Sequence, residues 1–219
     1  MAPAVTHLNL WKQHLGRVPE SVWDETDLET LVLADNSLSE ISDRLGGLKR
    51  LRMLDVGHNQ LTRVPDNIGD LDGLTDFLYL HDNRLTSLPA SIAKLTRLRY
   101  LNISGNAMAH LPDAIAALSS LIELRASDNH LTTLPPSIGR LSRLRELHVR
   151  NNRLTTLPDG VGRLTELRHI DLRGNPLISL PPQLAALPKL DKLDLRWVST
   201  LGSPPWLDDL EARGCVVYR

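Results

Sequence analysis

Histidine is the residue type in this chain most able to do chemistry. Seven of the eight, His7, His14, His58, His81, His130, His148 and His169, fall at related places along it. Imidazoles titrate near neutrality, so they can hold metals, relay protons or make an interface sensitive to pH. His58 and His81, with Asp55 and Asp82, have the chemistry of a metal cluster. No H-x-x-x-H or comparable ligand spacing marks them, however. The expectation is therefore tolerated surface histidines, no bound metal and no other cofactor. Ser104, His81 and Asp82 supply the side-chain types of a hydrolytic triad, but catalysis also needs a shielded pocket. Neither a G-x-S-x-G elbow nor a G-x-x-x-x-G-K phosphate loop occurs, and the single cysteine, Cys215, lies in the terminal segment. A nonenzymatic protein is expected.

Arginine is the second chemical resource. Residues 121 to 175 hold nine arginines against six acids, whereas residues 1 to 60 hold six Lys/Arg against nine Asp/Glu. Arg125, Arg145, His148, Arg150, Arg153 and Arg173 can grip acidic side chains or phosphate bidentately. Glu123, Glu146 and Asp171 among them can equally neutralise them as a solvated network. A net charge of −1 gives no support for a nucleic-acid or membrane partner. One cysteine cannot form an intrachain disulfide, and no signal-peptide core or membrane-length apolar run is present, which implies a cytoplasmic protein.

The elements that position these groups follow from a ladder of asparagines. Asn36, Asn59, Asn83, Asn106, Asn129, Asn152 and Asn175 recur at intervals of 23, 24, 23, 23, 23 and 23 residues. A buried polar group left unsatisfied costs about 1–3 kcal/mol, so an amide fixed at one register implies a standing hydrogen-bond duty. One coil, residues 98 to 120, carries Leu98, Leu101, Ile103, Asn106 and Met108, then Leu111-Pro112, Ile115 and Leu118. Alternation around Leu101 and Ile103 predicts a short strand with one buried face. Proline followed by apolar residues three apart predicts a short helical turn, with proline in its first turn and Asp66, Asp113 or Asp159 at its positive end. Stacked coils of this kind form an α/β solenoid, a parallel sheet on one side and tight turns on the other.

On these residues the chain resembles the leucine-rich repeat proteins of the 23-residue intracellular type. The motif L-x-x-L-x-L-x-x-N-x-L returns from Val5 through Leu28, Leu51, Leu74, Leu98, Leu121, Leu144, Leu167 and Leu190, about nine repeats over residues 5–200. The Leu-Pro-x-x-Ile segments are similar to those of plant intracellular Ras-group-related proteins, animal Ras-pathway scaffolds and bacterial repeat proteins. The resemblance implies one right-handed horseshoe over 1–219, with a concave parallel sheet, short helical turns on the convex side and a cap at 201–219. It also implies binding of a protein or peptide on the concave face. Alternatives of the same origin are a regulatory scaffold or adaptor for a small GTPase or kinase signalling pathway, or a secreted bacterial effector acting by protein binding.

The register turns outward strand positions into columns. Met53, Phe77, Tyr79, His81 and Tyr100, rimmed by Asp55, His58 and Asn102, form an aromatic zone with the composition of a binding hot spot. If Phe77 tucks into the core instead, the zone is only scattered aromatics. The candidate protein-binding residues are thus Met53, Phe77, Tyr79, His81, Tyr100, Asn102, Arg125, His148, Arg150 and Arg173.

The pattern breaks in three places. Leu74 is followed by Leu78 and Leu80, one residue late, which predicts a bulge before that strand. Gln13 and Val198 replace asparagine in the first and last repeats, marking capping coils. Pro204-Pro205 is expected to open a helix burying Trp206, Leu207 and Leu210, stopped by Gly214, with Cys215 to Tyr218 as a closing strand. At the other end Trp11, Trp23 and the acidic run Asp24 to Asp27 are the only cover for the first strand. A monomer is expected rather than an edge-paired dimer.

Overall fold

In each coil a leucine or isoleucine, and in the last strand Val217, lies between two outward residues and points inward, which makes a strand of only three residues. The computed structural model describes residues 5–219 and contains ten of them in one parallel sheet, in chain order. They are β1 (His7–Asn9), β2 (Thr30–Val32), β3 (Met53–Asp55), β4 (Phe77–Tyr79), β5 (Tyr100–Asn102), β6 (Glu123–Arg125), β7 (Glu146–His148), β8 (His169–Asp171), β9 (Lys192–Asp194) and β10 (Val216–Tyr218). Their central residues are in register, Leu54 beside Leu78, Leu101, Leu124 and Leu147. In the coil from Leu98, the side chains of Leu98, Leu101, Ile103, Met108, Ile115 and Leu118 are wholly buried. Each such burial stabilises by about 1.5–3 kcal/mol, and together they form one continuous core along the solenoid.

Eight five-residue 3₁₀ turns, from Glu20–Asp24 to Pro182–Ala186, line the opposite side. The repeated proline sits one position earlier than expected. Pro65, Pro89, Pro112 and Pro158 precede their turns with φ near −67° and ψ near 148°, extended backbone that aims the chain into the turn. Only Pro136 and Pro182 lie inside a first turn.

The asparagines weld neighbouring coils together. Asn129 Nδ2 donates to the carbonyls of Ile103 (3.0 Å), Ser127 (3.1 Å) and Ala126 (3.4 Å), while its Oδ1 accepts Met108 N–H at 3.1 Å. Asn59, Asn106, Asn152 and Asn175 repeat the arrangement. Where the ladder stops, at Val198, the Thr200 hydroxyl donates to Leu177 carbonyl at 2.6 Å instead.

The extra residue of the fourth coil falls at Thr75 and Asp76. Elsewhere one carbonyl accepts two successive amides of the next strand, as Glu29 does from Arg52 and Met53. Here the two duties are split, Thr75 accepting from Arg99 N–H and Asp76 from Tyr100 N–H. The expected bulge is therefore present and is absorbed just before β4, leaving Phe77 in register with Met53.

The C-terminal cap has the expected order, α1 (Trp206–Ala212) followed by β10 paired to β9. Leu207 and Leu210 are buried, but Trp206 is only half-buried, because its ring lies at the helix start beside the exposed Pro205. At the other end Trp23 is buried in the core, whereas Trp11 is 56% exposed with Lys12 Nζ 5.9 Å from its ring, so it covers nothing. The acidic run serves the next coil rather than the edge: Asp24 and Asp27 pair with Arg44 and Arg50, each at 2.5 Å.

Candidate functional site

β4 and β5 carry the aromatic zone because period-two alternation puts Phe77, Tyr79 and Tyr100 outward while Leu78 and Leu101 go in. Phe77 is 42% exposed and does not enter the core. Its ring lies 5.9 Å from Tyr79, nearly parallel, and 5.5 Å from Tyr100, while Tyr79 and Tyr100 are 5.1 Å apart and tilted. Such pairs are worth about 0.5–1.5 kcal/mol beyond area. Met53 lies beside Phe77, and Asn102 beside Tyr79, in the sheet register. Burial pushes the Tyr79 phenol up from its ordinary value and Tyr100 up to about 12, so both are neutral, uncharged surfaces.

His81 extends the patch, 5.9 Å from Tyr79 and edge-on to His58 at 4.9 Å. Its ring lies over the backbone of Gly57, where any Cβ would stand 2.3 Å from Cε1. Burial holds this imidazole below its ordinary value against the pull of Asp55 and Asp82, and its Nδ1 is buried without a partner. Among the described residues no hydrogen bond joins Ser104 to His81; the Ser104 hydroxyl accepts Ser127 N–H at 3.2 Å. The residues of the imagined triad are neighbours, not partners.

Two grooves flank the rings. One of about 390 Å³ is lined by Arg52, Asp76, Phe77, Arg99, Tyr100, Ile122 and Glu123. Sequence reading passed over Arg52, Asp76 and Arg99, which sit immediately before their strands. Their signal was present as a further column, Glu29, Arg52, Asp76, Arg99, Ile122, Arg145 and Arg168. Arg52 is held by Asp76 at 3.0 Å. Arg99 makes no ion pair within 4.0 Å among the described residues, so its guanidinium faces the groove unneutralised.

The second groove, about 460 Å³, runs from His81 past Arg125, His148 and Arg150 to Arg173. Its arginines are largely occupied. Arg125 Nε is 2.5 Å from Glu123 and its guanidinium lies 6.0 Å from the Tyr100 ring. Arg173 holds Asp171 in a two-point contact at 2.8 and 2.7 Å, and Arg150 stands 3.7 Å from Asp128. Burial alone would raise the Asp171 carboxyl, but the Arg173 hydrogen bonds prevail and hold it below the ordinary carboxylate range. Of the two readings open for the arginines, mutual neutralisation describes Arg125 and Arg173. His148 packs against Glu146 and Glu123 with its side chain 12% exposed.

An ordered stack of parallel strands, 3₁₀ turns opposite, and an asparagine spine between them define the leucine-rich repeat solenoid. The chain belongs to the leucine-rich repeat family: a family model described as a leucine-rich repeat region matches residues 78–204, and a second, described as leucine rich repeat, matches 3–75. It is 37% identical over 98 residues to the human volume-regulated anion channel subunit LRRC8A, a match covering 44% of this chain and 12% of that protein. Among solved structures it is similar to a leucine-rich repeat protein of Leptospira interrogans, with a TM-score of 0.75 and 25% identity over 96% of this chain and 66% of the other. The plant peptide hormone receptor RGFR1 in complex with RGF2 is similar too, with a TM-score of 0.62 and 27% identity, covering 92% of this chain and 40% of the receptor. The fold is a protein-interaction module and the family is generally nonenzymatic. Among the described residues no helix is long and apolar enough to cross a membrane.

Proposed function

We infer that this chain is a nonenzymatic interaction module that takes a protein segment or peptide across the concave face of its sheet, anchored on Phe77, Tyr79 and Tyr100. The observation that carries this reading is three aromatic rings in mutual contact at outward positions, in a chain with only 4% aromatic residues. Other exposed apolar side chains, such as Trp11, Ile178 and Trp197, lie apart from this cluster; rings grouped outward beside an unneutralised arginine have the composition of an interface core. An extended ligand would lay an apolar side chain on the rings and a carboxylate against Arg99. The similar fold of the peptide hormone receptor RGFR1, which is in complex with RGF2, supports a peptide as the kind of ligand. The reading includes a cytoplasmic monomer, which one buried free thiol, Cys215, fits.

The test is a quantitative pull-down from source lysate with the wild-type chain and with Tyr79→Ala/Tyr100→Ala. Recovery of specific partners is expected to fall at least tenfold, equivalent to about 1.4 kcal/mol. Equal recovery would remove the aromatic patch as the anchor.

A further inference from the structure

Glu146 and His148 occupy the two outward positions of β7, and His169 stands beside Glu146 on β8. His148 Nε2 is 3.0 Å from Glu146 Oε2 and 3.7 Å from Glu123 Oε1, and His169 Nδ1 is 4.0 Å from the same Glu146 oxygen. The two imidazoles meet edge to face, 4.9 Å between centroids. One donor atom from each of Glu146, His148 and His169 lies within 4.8 Å of the others. We propose that these three side chains form a binding site for a divalent transition-metal ion of the zinc class, outside the aromatic patch and independent of whether that patch binds a peptide.

Three observations support the assignment. First, the donor atoms are nearly placed. Bonds of about 2.0–2.1 Å in tetrahedral geometry put ligand atoms roughly 3.3 Å apart, so terminal side-chain rotations close the remaining gaps. Second, Glu146 is available. Arg125 takes Glu123 and Arg173 takes Asp171, but within 4.0 Å Glu146 meets only the two histidines among the described residues. Third, His169 has no hydrogen-bond partner among the described residues, and its Nε2 is buried. Ligation through Nδ1, the nitrogen that faces Glu146, would give this ring a polar partner that it otherwise lacks. Lys192, beside His169 in the sheet register, repels a cation, and the carboxylates of Glu146 and Glu123 must outweigh it.

Two imidazoles and one carboxylate favour zinc, cobalt or nickel over magnesium or calcium, and three protein ligands leave a position for water or another donor. His58, His81 and Asp82 form a second such group, also within 4.8 Å. His58 and Asp82 have side chains 58% and 48% exposed, so solvent screens and loosens that group. It serves as the internal control.

The experiment is calorimetric titration of the tag-free chain with zinc chloride at about pH 7.5, where imidazoles are neutral, repeated with cobalt to read its visible ligand-field absorption. One ion per chain is expected, with affinity reduced at least tenfold in His148→Gln, His169→Gln and Glu146→Gln, and unchanged in His58→Gln. Circular dichroism identifies any variant that fails to fold, and the other two still decide the matter. Absence of saturable uptake by the wild type, undiminished affinity in folded His169→Gln or Glu146→Gln, or loss of uptake in His58→Gln would each overturn the site.

Discussion

Asn129 has four hydrogen bonds and no exposure to spare, and that sets what its removal costs. Asn129→Ala leaves Met108 N–H unpaired in the interior, at about 1–3 kcal/mol, while the Ile103 carbonyl keeps its bond from Asn106 Nδ2. Asn83 makes the same bonds but is only half-buried, so water can replace it. Urea unfolding midpoints should therefore fall further for Asn129→Ala than for Asn83→Ala; equal losses would contradict a hydrogen-bond role graded by burial. Asp194 offers a second test at this scale. Its side chain is 2% exposed, and burial opposes its charge, yet contacts from Arg196 at 3.0 and 2.8 Å and from Arg173 at 3.5 Å keep its carboxyl below the ordinary range. A folded-state value below the unfolded one means stability that is present above about pH 4 and lost as pH falls through the folded value. The midpoint difference between wild type and Asp194→Asn should be widest near neutrality and shrink below about pH 4. A difference that grows in acid would reverse the sign.

Elements in this chain are legible where one coil dictates its own structure and hidden where two coils meet. Leucine spacing, the Asn ladder and the late Leu78 are properties of single coils, and strands, turns and bulge follow from them. Trp206, by contrast, is apolar at a helix start, and nothing in the local pattern says that its ring stays half out. The histidine clusters are hidden for the same reason. Ligand-spacing motifs assume donors on one helix or loop, whereas Glu123, Glu146 and His169 are each 23 residues apart and become neighbours only through strand register. In a solenoid the repeat period itself is the spacing to search. Coil-to-coil distance also sets the convex side. A Cβ on Gly139 would lie 2.3 Å from Gly160 carbonyl oxygen, so the turns at Pro136–Arg140 and Asp159–Arg163 can stack only without it. Gly139→Ala should cost about 1–3 kcal/mol in unfolding free energy as the turns part. Gly47→Ala, with nothing within 4 Å of the added carbon, should be neutral or slightly stabilising. A loss as large at Gly47 would point to backbone preference and not to stacking.

At the scale of the whole molecule, each coil touches only its neighbours, so stability is a chain of interfaces and not a single core collapsing at once. The last interface is closed by α1 and β10: Leu207 and Leu210 are buried, Arg213 donates to Ala185 carbonyl, and Arg219 bridges Asp208 at 2.8 Å and Glu211 at 3.0 Å. Deleting residues 203–219 uncovers Leu193, Leu195 and the turn at Pro182–Ala186, and leaves β9 as a bare edge. Every strand is too short to template pairing well, but the apolar core surface that the cap covers in the intact chain would drive association once uncovered. Light scattering should give a monomer mass for the intact chain at every concentration and larger, concentration-dependent masses for the truncated one. Hydrogen exchange separates this from general damage. With coupling confined to neighbours, protection should fall in β8 and β9 and persist through β4 to β6, because those strands have lost none of their own interfaces. Uniform loss of protection from β2 to β9 would mean that the coils fold as one cooperative unit, and that the terminal cap supports the aromatic face from five coils away.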